Sequence, residues 1–276
     1  MERSRVSERP TEARNPRASR LGTFSTTEIL ELMNDEDATV PSAVRAAIPR
    51  IAEAVDAILE AITRGGHVLY VGAGTSGRLG VLDASEAPPT FGVEPDLFHG
   101  IIAGTDRALR SSVEGAEDSE SDGRRDVAKA VRPHDVIVGI SASGRAPYVI
   151  GALGGGENVA SKTVAITCNP GSPLARAADI PIVVDVGPEV LAGSSRLKAG
   201  TATKLVLNML STAAMIRSGR TKGDLMIDLR ATNTKLRDRA VRMVRDETGL
   251  DDKAARERLE KNGWNVRAAL ETDRQR

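Results

Sequence analysis

Two acidic residues lie beside sequence features that could place them at a reacting centre. Glu86 stands just before the double proline Pro88-Pro89, and because proline ends a helix, we expect Glu86 at the end of an element near a loop. Glu117 lies in residues 113–118, an acid-rich stretch that is equally typical of an exposed loop. Two glutamates whose surroundings differ can divide general acid and general base catalysis between them. We therefore take this pair as candidate catalytic groups.

A glycine-rich loop at residues 71–80 follows the first apolar run of the chain. Glycine lets the backbone approach a ligand closely, and Gly74, Thr75 and Ser76 lie where the N-terminus of the next helix would face an anion. The loop contains a GxGxxG pattern, which alone is weak evidence for a dinucleotide site. Asp106, after the second strand, is a poor ribose ligand because it is better placed to cap a helix. A tight turn without a ligand is the other interpretation.

A second loop of this kind, residues 140–145, follows another apolar strand. Ser141, Ser143, Gly144 and Arg145 are candidate anion ligands there, although Ser143 could equally cap a helix. Ligands in open α/β sheets bind at the carboxyl ends of the strands. Two such loops in one sheet favour one compact phosphosugar over a dinucleotide.

A polar loop at residues 187–204 separates the last predicted strand from a long helix. Ser194, Ser195 and Lys198 are our candidate substrate ligands in this loop, although the sequence is equally compatible with a solvated Lys198. Such a loop could close over an active site or contact a second subunit.

The composition limits the class of protein. Lys and Arg number 38 and so do Asp and Glu, so the chain lacks the basic excess typical of nucleic-acid-binding proteins. It has no apolar run long enough to cross a membrane. A single cysteine, Cys168, rules out an intramolecular disulfide, and none of the three histidines lies at metal-ligand spacing from another histidine or cysteine. We expect a cytoplasmic protein without a metal.

Short apolar runs alternating with helical patterns predict an α/β fold with a parallel sheet covered on both faces. We expect strands at residues 67–72, 97–103, 136–140, 163–167 and 180–186. Helices are expected at residues 26–34, 40–63, 200–216 and 232–247, with two short ones in residues 250–270. The predicted organisation is a flexible segment over residues 1–25, a main domain over 26–220 and a helical region over 221–276.

In their order along the chain, these segments resemble the bacterial N-acetylmuramic acid 6-phosphate etherases. The similarity extends over roughly residues 11–249 and rests on residues 11–16, 34–37, 71–86, 88–91, 113–118, 143–148, 168–173, 193–196, 198–201 and 204–210. The family implies a sugar isomerase (SIS) fold, which is a Rossmann-like sheet, and a homodimer. It also implies loss of D-lactate from C3 of the sugar in cell-wall recycling, without a metal or redox cofactor. The two family acids fall on Glu86 and Glu117.

The chain departs from the family pattern at some points. Ala87 replaces a cysteine that is common before the double proline, and the C-terminal module, residues 255–270, resembles a shortened UBA-like unit. Three other functions remain open from the residues alone: an aldose–ketose isomerase, a non-catalytic sugar-phosphate sensor and a dinucleotide oxidoreductase. The paired acidic segments favour the etherase over the first two.

Overall fold

A five-stranded parallel sheet lies at the centre of this computed structural model, which describes residues 10–272. The strands are β1 (Val68–Gly72), β2 (Phe98–Ile102), β3 (Val136–Ile140), β4 (Lys162–Thr167) and β5 (Ile180–Val183). Their spatial order is β2-β1-β3-β4-β5, and every neighbouring pair is parallel. From β1 the chain passes to β2 on one side of β1, and from β2 it passes to β3 on the other side. The switch point, where α/β proteins bind ligands, therefore lies between β1 and β3.

Helices cover both faces of the sheet, as the continuous apolar strands predict. On one face lie α2 (Val40–Thr63), α3 (Gly74–Phe91) and α8 (Lys198–Arg217), which enclose the larger apolar core. On the other lie α5 (Glu120–Ala130), α6 (Pro147–Gly155) and α7 (Pro173–Ala177), over a second core. All five residues of β1 and of β3 are buried, so the predicted central strands are confirmed. Two further helices are α1 (Thr26–Asp37) and the short α4 (Arg107–Arg110).

Helix α3 does not end before the double proline, and that prediction is wrong. The helix continues through Pro88 and Pro89 to Phe91 and stops at Gly92, whose φ is 64° and whose N–H donates to the Pro88 carbonyl. Each proline removes one backbone hydrogen bond from the helix, and burial of Phe91 in the core offsets that loss. Glu86 therefore lies inside a helix, and its side chain is exposed.

The N-terminal segment contacts the loop that follows β4, and the flexibility expected for residues 1–25 stays a prediction. Three 3-10 turns occupy residues 10–25, and Thr11 is buried with its hydroxyl accepting a 2.8 Å hydrogen bond from the Asn169 side-chain amide. Ser25 caps α1 through a capping box with Glu28. This segment shows no apolar periodicity because polar contacts hold it. Residues 1–9 lie outside the described residues.

Three helices form the C-terminal region: α9 (Thr234–Thr248), α10 (Asp252–Lys261) and α11 (Val266–Glu271). They share an apolar cluster of their own, which includes Ile227, Val244, Leu259 and Val266. The expected turn between the two short helices is found at Asn262. A domain boundary at residue 220 stays a prediction. Within residues 10–272, no helix is long and apolar enough to span a membrane.

Candidate functional site

A cavity of about 140 Å³ opens at the switch point, at the carboxyl ends of β1 and β3. We call it the hydroxyl cavity. Among the predicted site residues, those that line it are Gly74, Thr75, Ser76, Ser141, Ser143, Ser195 and Glu117. Small-molecule sites usually measure roughly 300–1,000 Å³, so this cavity alone fits only part of a sugar phosphate. The structure thus brings most of the predicted ligands together from four separate stretches of chain.

The wall formed by β1 and α3 depends on a close approach between two glycines. A Cβ atom on Gly72 would lie 2.6 Å from the backbone nitrogen of Gly77, and one on Gly77 would lie 2.7 Å from the carbonyl oxygen of Gly72. Only glycine fits at either position. The first turn of α3 can therefore sit directly on the end of β1, where its N-terminus and the hydroxyls of Thr75 and Ser76 face the cavity.

The opposite wall is the turn after β3, which its own side chains hold in place. The Ser141 hydroxyl accepts the N–H of Gly144 at 3.1 Å, and Ser143 accepts the N–H of Arg145 at 3.3 Å. Gly144 has a φ of 63°, and a Cβ there would lie 2.2 Å from Ser172 Oγ. Gly144 therefore shapes the turn and does not line the cavity. Arg145 is exposed outside the cavity as well.

The first turns of α8 complete the lining with two residues that the sequence analysis missed, Gly200 and Thr203. Their spacing of three places them on one helical face, within the last part of the predicted polar loop. That spacing was the signal available in the sequence. Ser195 lines the cavity from the preceding loop, whereas the adjacent Ser194 does not.

Lys198 has a structural position, in contrast to its prediction as a substrate ligand. Its side chain is only 3% exposed, and Nζ lies 2.6 Å from Glu36 Oε2. The fully buried Glu189 accepts the backbone N–H groups of Lys198 and Ala199 at 2.9 and 3.0 Å. Two carboxylates therefore fix the N-terminus of α8, beside the cavity that this helix lines.

Glu117 is the predicted catalytic acid that borders the hydroxyl cavity. It lies in a 3-10 turn, Ala116–Asp118, which follows Gly115 in the left-handed conformation at φ 71°. Its side chain is exposed, so it can meet a ligand that enters from solvent. Glu86 does not line the cavity of its own chain. It lies twelve residues after Gly74 along α3, which places it about 18 Å further down the helix axis.

A second cavity of about 280 Å³ adjoins the first and shares Ala73, Gly74 and Glu117 with it. We call it the side cavity. Arg78, Ser111 and Ser112 line it, together with the acidic segment around Glu114. Arg78 is half-buried, and its Nε donates to the backbone carbonyls of Ala108 and Leu109 at 3.0 and 3.2 Å. Glu117 thus stands between a hydroxyl-lined space and a space that contains a guanidinium.

Cys168 directly follows β4, near the site, and has no catalytic character. It is 1% exposed, and burial, with the nearby charges of Glu189 and Asp185, raises the pKa of its thiol to about 12. A neutral, enclosed thiol is a poor nucleophile. The expectation of a buried thiol is confirmed. Within residues 10–272, no group of three histidine, cysteine or acidic residues is arranged to hold a metal ion.

The fold and the switch-point site together define an SIS-domain protein. Two family models match, "Glucokinase regulatory protein N-terminal SIS domain" over residues 50–156 and "SIS domain" over residues 112–213. A phosphoheptose isomerase from Francisella tularensis has the same fold, with a TM-score of 0.53 and 20% identity, over 68% of this chain and 98% of that one. At this identity the likeness concerns the fold alone.

Two curated relatives narrow the class to one family. A protein from Jannaschia sp. strain CCS1 is 52% identical over 260 residues, which is 94% of this chain and 82% of the relative. A protein from Symbiobacterium thermophilum is 53% identical over 260 residues, which is 94% of this chain and 87% of the relative. Both are named N-acetylmuramic acid 6-phosphate etherase. The chain belongs to the N-acetylmuramic acid 6-phosphate etherase family, and the resemblance seen in the sequence is confirmed.

Proposed function

We propose that this protein cleaves the D-lactyl ether of N-acetylmuramic acid 6-phosphate, giving N-acetylglucosamine 6-phosphate and D-lactate. The main support is a relative of that name at 52% identity over 94% of the chain. The position of Glu117 beside a hydroxyl-lined cavity at the switch point agrees with it. A non-catalytic sensor would need the cavity but not an acid at its edge. The cytoplasm remains the expected compartment.

The chemistry calls for proton transfer at C2 and at the ether oxygen bonded to C3. In the open-chain sugar, the C2–H bond is acidified by the C1 aldehyde, so a carboxylate can remove that proton. The electron pair forms the C2–C3 double bond, the C3–O bond breaks, and the lactyl oxygen takes a proton from an acid and leaves as lactate. Water then adds its oxygen at C3, and a proton returns to C2. No electrons are gained or lost overall, so the reaction needs no redox cofactor; that it needs no metal is what the family resemblance implies.

We assign Glu117 to the C2 proton and to activation of water, and Glu86 to the proton that the departing lactate takes up. The reverse assignment is compatible with the same geometry. Thr75, Ser76, Ser141 and Ser143 would hold the phosphate and sugar hydroxyls, helped by the N-terminus of α3. General acid or base groups contribute about a hundredfold or more to turnover, so Glu117→Gln and Glu86→Gln should each lose at least that.

Glu86 can take part only if a second copy of the chain supplies it. It is exposed on α3 one turn after Leu82, and α3 packs against α8. On these helices the apolar side chains of Leu82, Met209 and Ile216 are 50%, 38% and 48% exposed. Exposed apolar groups on neighbouring helices are typical of a contact surface, and a twofold axis would repeat the contact on both chains. We therefore propose a homodimer in which Glu86 of one chain completes the site of the other.

Mixing two inactive variants tests this arrangement. Glu86→Gln and Glu117→Gln dimers are unfolded together, refolded and assayed. If each site takes one glutamate from each chain, half of the mixed dimers' sites are intact, and roughly a quarter of wild-type activity returns. Each variant refolded alone is the control. If both glutamates come from one chain, no mixed site is intact and activity stays lost, which would reject the shared site.

The reaction itself is tested in heavy-oxygen water with mass spectrometry. We expect D-lactate without label and an amino sugar phosphate with one heavy oxygen at C3 that survives exchange of the C1 aldehyde. Label in the lactate would mean cleavage at the lactyl carbon and would reject the elimination. Binding of the phosphosugar without any lactate release would favour the sensor, and interconversion of an aldose with a ketose would favour the isomerase.

A further inference from the structure

The substrate of the proposed reaction has two anionic ends, and the hydroxyl cavity accounts for only one of them. Serine and threonine hydroxyls with a helix N-terminus suit the phosphate. The lactyl group ends in a carboxylate, and moving a carboxylate out of water without a partner is strongly unfavourable. A separate cationic contact is therefore expected on the far side of the reacting C3 atom.

We infer that Arg78 binds the lactyl carboxylate in the side cavity and so selects the lactyl ether as substrate; this rests on the proposed function. Arg78 is the cation among the described residues that line this cavity. Glu114 and Glu117 also line it, so a ligand carboxylate would be the third in this space and would be repelled there unless it paired directly with the guanidinium. Ser111 and Ser112 add hydroxyl donors beside it.

The guanidinium is held in a fixed orientation. Its Nε donates to the carbonyls of Ala108 and Leu109, which ties the side chain to α4. Both contacts use the Nε donor. As far as residues 10–272 are concerned, the two terminal nitrogens of Arg78 are therefore left to bind a ligand. Two parallel N–H donors match the two oxygens of a carboxylate, an arrangement that adds geometric specificity to the charge.

The spacing along α3 agrees with one ligand that reaches both cavities. Arg78 follows Gly74 by four residues, so it lies one turn, about 6 Å, further along the helix axis. Glu117 borders both spaces. With the phosphate among the hydroxyls and the lactyl carboxylate on Arg78, the C2 and C3 atoms lie between them, beside Glu117. After cleavage the sugar phosphate has no carboxylate, so Arg78 no longer holds it.

The test compares two ligands that differ only in the lactyl group. In a Glu117→Gln background, which prevents turnover, calorimetry measures binding of N-acetylmuramic acid 6-phosphate and of N-acetylglucosamine 6-phosphate. Adding Arg78→Gln should weaken binding of the lactyl sugar by roughly 10- to 100-fold, which is the contribution of a hydrogen bond to a charged group. The Kd of the product sugar should stay within about threefold. Arg107→Gln, an exposed arginine of α4 outside the cavity, is the matched control and should change neither.

A neutral analogue separates charge recognition from general damage. In this analogue a carboxamide replaces the lactyl carboxylate. The protein that keeps Arg78 should bind the analogue at least about tenfold more weakly than the acid, whereas the Arg78→Gln protein should bind both with the same affinity. Equal weakening of both sugars by Arg78→Gln would overturn the inference, because Arg78 would then only support α4. Unchanged binding of both would overturn it as well. If the wild-type protein binds both sugars but releases no lactate, the proposed function fails, while the Arg78 comparison still gives its own answer.

Discussion

The Lys198 ammonium lies 2.6 Å from the Glu36 carboxylate and joins the first turn of α8 to α1. The side chains are 3% and 12% exposed, so water does little to screen the pair. Burial acts to raise the pKa of Glu36, but hydrogen bonds from Lys198 and Asn15 outweigh it, and the pKa of this carboxyl is lowered. The charged pair is therefore the stable form at neutral pH, and it fixes the helix that lines the hydroxyl cavity.

Removing one partner of this pair should destabilise the protein strongly. Lys198→Met leaves the Glu36 carboxylate with only part of its positive surroundings, the exposed Arg17 at 3.3 Å, and breaking a buried pair costs up to about 3–5 kcal/mol. Urea unfolding at pH 7 measures the change in the free energy of unfolding. Arg50→Ala, in the exposed pair with Glu53, is the control and should stay within about 0.5 kcal/mol. Similar losses in the two variants would show that burial does not distinguish the pairs.

A buried acid between α3 and α8 predicts a pH-dependent stability. Burial raises the pKa of Asp83, and hydrogen bonds from Asn208 at 2.7 Å, Ser211 at 3.2 Å and Tyr70 at 3.2 Å only partly offset this. A raised pKa means that the folded state holds the proton more tightly than the unfolded state. Its contribution to stability is then largest at low pH and is lost as the pH rises above about 3.9, the unfolded value, through the folded pKa.

Asp83→Asn removes this titration and keeps an acceptor for Asn208 and Ser211. The free energy of unfolding of the variant, relative to wild type, should therefore rise from pH 3.5 to pH 7, by about 1.4 kcal/mol for each unit of pKa difference. Denaturant unfolding at intermediate pH values measures it. A flat difference between the two proteins over this range would contradict the raised pKa.

Local sequence patterns predicted most of the architecture. Helix α2 has the predicted bounds, residues 40–63, because a long apolar stripe and a terminal glycine pair define it. All five strands lie within two to three residues of the predicted ends, because buried parallel strands are short and β-branched. These signals are local, and local signals can be found without knowing which elements meet.

The errors concern residues whose position depends on distant partners. Lys198 looked like a ligand because nothing near it in the sequence reveals Glu36, 162 residues away. The contact between Thr11 and Asn169, 158 residues apart, is equally invisible in the local sequence. Pro88 should have ended a helix, but tertiary packing of Phe91 extends it. Such contacts cannot be inferred from spacing, and the same holds for the position of Glu86 relative to the cavity.

The close contact between Gly72 and Gly77 predicts a sensitive position. In Gly77→Ala the new Cβ would lie 2.6 Å from Ile102 Cγ1 and 2.7 Å from the Gly72 carbonyl oxygen, so the first turn of α3 must shift away from β1. Overpacking of this kind costs about 1–3 kcal/mol, and the displaced helix N-terminus should also raise KM for the phosphosugar. Gly22→Ala is the control, since no atom lies within 4 Å of its Cβ. Unchanged KM in Gly77→Ala would argue that the helix N-terminus does not bind substrate.

Two adjacent serines give the sharpest test of the hydroxyl cavity. Ser195 lines it and Ser194 does not, although both were predicted ligands and both are half-buried. A hydrogen bond to a charged phosphate contributes about 1.5–3 kcal/mol, so Ser195→Ala should raise KM by roughly tenfold or more. Ser194→Ala should leave KM within about twofold, since it removes no contact with the ligand. Steady-state lactate release measures KM for both variants. A larger effect from Ser194→Ala would mean that, when substrate is bound, the loop at residues 187–197 directs Ser194 and not Ser195 at the ligand.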